Sequence, residues 1–158
     1  MPNQNKLWRT KLYNALIAFF GGLFGVSVIF IVYYLIFRIP NFENPFPSTL
    51  LGIFLWYLFG VSFIEEGTKF LLIKRDIGQF PYGFLLGLGF GIGETILVYP
   101  TAGFGWVPGT RTPAIILHII TATILAYAIK KNKPILGLSI AITLHTGFNL
   151  ASHYASTQ

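Results

Sequence analysis

Residues 49–73 read TLLGIFLWYLFGVSFIEEGTKFLLI, and only Glu65, Glu66 and Lys69 in this stretch carry charge. As a helix it would rise about 37 Å, more than the ~30 Å thickness of a bilayer's hydrocarbon core. Sustained alternation of polar and apolar residues, the mark of a membrane strand, is missing. Working outward, four more apolar stretches follow the same reading: residues 12–37, 82–99, 113–129 and 134–151. The last three sit at the short end of the spanning range. Pro113 and Pro134 stand at helix entrances, where a missing amide hydrogen costs nothing. Asn41, Asn44, Pro40, Pro45 and Pro47 make the first connection a loop, and residues 100–110, with three glycines and two prolines, make another.

Composition agrees. Of 158 residues, 54% are hydrophobic and 10% are charged, against about 25% charged in an average soluble domain. The 16 Phe, 8 Tyr and 3 Trp exclude a disordered solvating chain. Cysteine is absent, which excludes disulfide frameworks, thiolate metal sites and cysteine nucleophiles. The chain therefore reads as all-α: a polytopic membrane bundle of about five transmembrane helices forming a single integral membrane domain over residues 1–158. The first stretch is far longer than the apolar core of a cleaved signal peptide and reads as a retained span.

The net charge of +6 is explained by topology rather than by nucleic acid. With five spans, Lys6, Arg9, Lys11, Lys74, Arg75, Lys130, Lys131 and Lys133 fall on one side of the membrane. Arg38 and Arg111 fall on the other. This bias places the N-terminus in the cytoplasm and the C-terminus outside, in a cell membrane. Lys74, Arg75 and Asp76 read as a solvated loop, His153 and Tyr154 as interfacial residues, and Arg111 as a topology or headgroup anchor.

Glu65, Glu66, Lys69 and Glu94 lie where charge is expensive. Each costs roughly 2.5–3.5 kcal/mol near a helix centre, on the order of 10 kcal/mol together. His118, His145 and Asn149 add polarity in the fourth and fifth spans. Counted from the lysine-rich ends, Glu65 lies roughly 12 Å deep, His118 and His145 roughly 17 Å, and Glu94 roughly 20 Å. Glu65 and Lys69, Glu66 and Lys69, and His145 and Asn149 are spaced to share helix faces. A single membrane histidine is commonly an interhelical hydrogen bond, and such bonds average only about 0.6 kcal/mol. So many costly groups in one slab point instead to one inward-facing functional cluster. Gly83, Gly87 and Gly91, and in a second line Gly89 and Gly93, form small-xxx-small patterns that bring helices close. GLGFGIGE does not fit GxGxxG, so no phosphate loop is read there.

Carboxylates and imidazoles without cysteine or a persuasive serine suit activation of water: one carboxylate takes the proton, and a histidine–asparagine pair one turn apart donates to a developing oxyanion. Glutamate and histidine can also ligate zinc, but HExxH and other close-spaced metal signatures are absent, so no metal or cofactor is assigned.

These residues resemble a family. EEGTK at Glu65–Lys69 is similar to the EExxK motif of PrsW-type glutamic intramembrane proteases, and FGIGE at Phe90–Glu94 to their FxxxE motif. The run from Arg111 through His118, and HTGFN at His145–Asn149, resemble their later histidine motifs. PrsW proteins belong to the broader CPBP group, with the type II CAAX prenyl endopeptidases and some bacteriocin-immunity proteins. The resemblance implies that Glu65 is the general base, that Glu94 and His118 are catalytic, and that His145 and Asn149 support the oxyanion. It implies supporting roles for Glu66 and Lys69. EExxK in place of EExxxR, and Glu94 in place of a histidine, favour the PrsW branch over the prenyl-protein branch. The function expected is hydrolysis of a peptide bond in a membrane protein or peptide substrate. The alternatives are a non-catalytic binding or immunity-type protein on the same scaffold, or a proton or cation pathway, which five spans without a repeat disfavour.

Overall fold

A computed structural model describes residues 4–37, 48–73, 80–102 and 111–156. Its helices are α1 (Gln4–Phe37), α2 (Leu50–Leu55), a π-helical segment (Trp56–Ser62), α3 (Phe63–Leu72), α4 (Phe80–Ala102), α5 (Thr112–Lys130) and α6 (Pro134–Ser156). No strand occurs among the described residues. The α2 helix, the π segment and α3 run on as one rod, giving five helices long and apolar enough to cross a membrane. Large apolar side chains point away from the bundle, with Phe24 68%, Ile135 70% and Leu71 82% exposed. Apolar exposure on this scale belongs against lipid rather than water.

The helices outlast the apolar stretches that announce them. The α4 helix continues through Pro100 to Ala102 rather than yielding to a loop at Pro100, and α6 continues past Ala151 to Ser156. Hydropathy marks the length immersed in lipid. A helix goes on into the interface wherever its backbone bonds remain favourable, so these helices are longer than the stretches immersed in lipid. The connection at residues 41–47, most of the loop at 100–110, Arg38, and the charged residues Lys74, Arg75 and Asp76 lie outside the described residues. The α5–α6 turn is described. Asn132 takes a left-handed φ of 56°, the amide of Lys133 donates to the Ala128 carbonyl at 2.8 Å, and Pro134 opens α6 as expected.

The α4 helix is the centre of the bundle, and its glycines explain why. On one side, a β-carbon added at Gly89 would strike the Phe19 carbonyl of α1, and one added at Gly22 of α1 would strike the Leu86 carbonyl of α4. On the other side, added β-carbons at Gly83, Gly87 and Gly91 would meet the backbone of α5 around Thr123, Ile119 and Ile115. The two glycine lines thus dock α4 against two different partners at backbone distance, as small residues do in lipid. Leu86, Leu125, Ala122 and Ala126 pack the centre of this interface. The π segment lies on the opposite flank, and Tyr33 of α1 donates its hydroxyl to the Gly60 carbonyl within it. Wider π turns shift the helical phase, so Glu65 and Glu66 are rotated relative to an uninterrupted α-helix.

Gly87→Val places a β-carbon 2.6 Å from the Ile119 Cα and should cost at least about 1–3 kcal/mol. In detergent its unfolding midpoint falls well below the wild type. Gly67→Ala, where an added β-carbon meets nothing within 4 Å, should match or slightly exceed the wild type. Equal midpoints for both variants would refute the packing role.

Candidate functional site

The intramembrane charges meet. On α3, Glu66 and Lys69 lie one turn apart, with the Lys69 Nζ 2.6 Å from Glu66 Oε1 and both side chains fully buried. Lysine has three protons to donate. The others go to His118 Nδ1 at 2.8 Å and Thr121 Oγ1 at 3.1 Å, both on α5. The Phe90 ring of α4 lies beneath the ammonium, 4.6 Å from centroid to Nζ. Glu66 Oε1 also accepts from the Thr121 hydroxyl at 3.1 Å and lies 2.7 Å from His145 Nδ1 of α6. One oxygen therefore ties α3, α5 and α6 together.

These contacts fix ring orientations. An ammonium only donates, so His118 Nδ1 accepts and the ring proton sits on Nε2. From there it is donated to Glu94 Oε2 of α4 at 2.8 Å. Glu94 Oε1 in turn lies 3.5 Å from the Arg111 guanidinium at the start of α5. On α6, His145 gives its Nδ1 proton to Glu66 and turns Nε2 toward Glu65 Oε2, 3.7 Å away. Glu65 is buried and this oxygen has no hydrogen-bond partner in the protein. The two imidazoles pack edge to face with centroids 5.2 Å apart. The chain of contacts thus runs Arg111–Glu94–His118–Lys69–Glu66–His145–Glu65.

A cavity of about 710 Å³ adjoins this chain. Glu94, His118, His145 and Asn149 line it, and it extends past Trp56 and Tyr57 toward Arg111 and His153. That end of the bundle is opposite the Lys131 turn. Glu65 stands behind His145 rather than on the cavity wall.

Every residue singled out in the sequence therefore falls at one site, Asn149 as part of the cavity wall one turn beyond His145. Lys69 pairs with Glu66 and leaves Glu65 to face a histidine. Two further residues join the site. Arg111, read as a headgroup anchor, pairs with Glu94. His153, read as interfacial, lies on the cavity wall with the Tyr57 hydroxyl 3.3 Å from its Nδ1. The signal for Arg111 was its spacing of two turns before His118. Thr121 gave no signal, because an uncharged hydroxyl in an apolar span looks like any other threonine.

Glu65, His118 and His145 can each present a ligand atom within 4.8 Å of the others, close enough to consider a metal ion. His118 does not suit one. Its Nδ1 holds the Lys69 ammonium and its Nε2 holds Glu94, and a metal there would have to displace one of them. Glu65 and His145 alone fall short of the three protein ligands of a catalytic zinc. Comparison with family models, with characterised proteins and with solved structures finds no match for this chain.

Lys69→Met leaves Glu66 buried and uncompensated, a loss of about 3–5 kcal/mol. Glu66→Gln/Lys69→Met should recover much of it, as read by thermal unfolding in detergent. A Lys69→Met cost below about 1 kcal/mol would show that the pair does not hold the site together.

Proposed function

We propose that the chain is an intramembrane peptidase of the PrsW-like glutamic type, in the cell membrane with its N-terminus cytoplasmic. The supporting observation is the juxtaposition of a buried, unpaired Glu65 oxygen with the Nε2 of His145, a ring that itself lines the cavity. The reaction is hydrolysis. Glu65, which reaches the cavity through His145 Nε2, takes a proton by way of that ring as the water oxygen bonds to the scissile carbonyl carbon. The carbonyl oxygen gathers negative charge and is met by Asn149 and, when doubly protonated, by His145 Nε2–H. Collapse breaks the C–N bond, and the glutamate returns its proton to the leaving amine. Glu94, oriented by His118 and Arg111, is the carboxylate on the cavity wall. Glu66 and Lys69 position the two rings and do not touch substrate. The substrate class is a membrane-associated peptide or single-span protein whose chain enters beside Trp56 and Tyr57.

One observation favours a second reading. Lys69, Thr121, His118 and the Oε1 of Glu66 bond to one another without any ligand, as a structural core in a non-catalytic binding or immunity-type protein would.

Glu65→Gln keeps size and polarity and separates the two. With the purified protein in proteoliposomes and a panel of single-span peptides, it should reduce cleavage at least 100-fold while the unfolding midpoint stays near the wild type. Cleavage by the wild type that survives in Glu65→Gln would remove Glu65 as base and, if also indifferent to Glu94→Gln, would overturn the glutamic mechanism.

A further inference from the structure

At the opposite end of the bundle, a groove of about 570 Å³ runs between α5 and α6. Its walls are Ile124, Tyr127, Leu136 and Ile140, and its rim carries Lys131 and Lys133. Three features of the chain build it. Ala128 and Gly137 bring the two helices into contact, since a β-carbon added at Gly137 would strike the Ala128 Cβ. The left-handed Asn132 makes the turn tight, placing the lysines on either side of it at one rim. Lys131 lies over the exposed Tyr127 ring, 5.6 Å from its centroid.

Among the described residues the rim has no acid to answer these lysines. Among the described residues the carboxylates are Glu65, Glu66 and Glu94, all committed to the other site. A largely apolar trough, with Thr123 among its lining, that ends in two ammonium groups answered by no described carboxylate matches an amphiphile with one long hydrocarbon tail along the groove and an anionic head at its end. We infer that the α5–α6 groove is a binding site for an anionic phospholipid, an acyl chain lying along Ile124, Leu136 and Ile140 and the phosphate held between Lys131 and Lys133. Basic pockets between transmembrane helices hold acidic headgroups by this combination of charge and burial. The groove stands apart from the cavity at His145 and does not depend on the peptidase reading.

Native mass spectrometry of the full chain, with dioleoyl phosphatidylglycerol and dioleoyl phosphatidylcholine as competing probes, tests the assignment. One phosphatidylglycerol should stay bound at activation energies that strip phosphatidylcholine. Lys131→Gln/Lys133→Gln should weaken its binding roughly 30-fold, about fivefold for each lysine, whereas Lys131→Arg/Lys133→Arg should retain it. Ile140→Trp, which fills the trough and leaves the lysines in place, should weaken binding at least fivefold. All three positions are exposed at the bundle's edge, and unchanged unfolding midpoints without added lipid establish that each variant is folded. Equal retention of the two lipids overturns the site, as does wild-type binding by the glutamine variant or equal loss by the arginine variant. Wild-type binding by Ile140→Trp also overturns it, because lysines attracting lipid without the groove are an ordinary charged membrane surface.

Discussion

A buried ammonium holds this structure together. Lys69 spends its three protons on Glu66 of its own helix and on His118 and Thr121 of α5, and so ties α3 to α5. A lysine that donated to only one carboxylate would leave two hydrogens unsatisfied in a medium without water, a cost of several kcal/mol. Full use of the donors makes the ion pair tolerable. It also sets the tautomer of His118 directly and that of His145 through Glu66. The two rings therefore present opposite chemistry outward: a proton toward Glu94 and an accepting nitrogen toward Glu65.

Such contacts need backbones close enough for short side chains to meet. The α4 helix supplies this with glycine on two faces, one against α1 and one against α5. The approach to α5 brings Glu94 within a hydrogen bond of His118, and Phe90 beneath Lys69. Packing and polarity are thus linked: van der Waals contact between helix backbones positions the charges, and the charges fix the register in which those helices pack. The π segment contributes from the other flank by setting the phase of the turn that carries Glu65 and Glu66.

The two ends of the bundle differ in kind. Toward Arg111 and His153 lies a cavity walled by ionisable and aromatic groups; toward Lys131 and Lys133 lies an apolar trough with a cationic rim. The first is suited to polar chemistry on a peptide backbone and the second to an amphiphile held in place.

The sequence by itself determined that the chain is helical, that five of its segments can cross a membrane, and that Glu65, Glu66, Lys69, Glu94, His118, His145 and Asn149 belong together. The reason is energetic: lipid allows few backbone arrangements, and it makes stray charge so costly that the charges present must find one another. The spacing of the glycines was equally legible, because close approach requires a missing side chain. Tertiary structure alone decided the partners. Glu65 and Glu66 are neighbours in the chain and equally well spaced for Lys69, yet one is neutralised by it and the other faces His145. That choice depends on helix phase, which the π segment shifts and residue spacing alone does not record. Arg111 and Thr121 entered the site for the same reason: a residue's place on a helix can be read from its neighbours in sequence, but the residue it meets across the interface depends on how two helices dock.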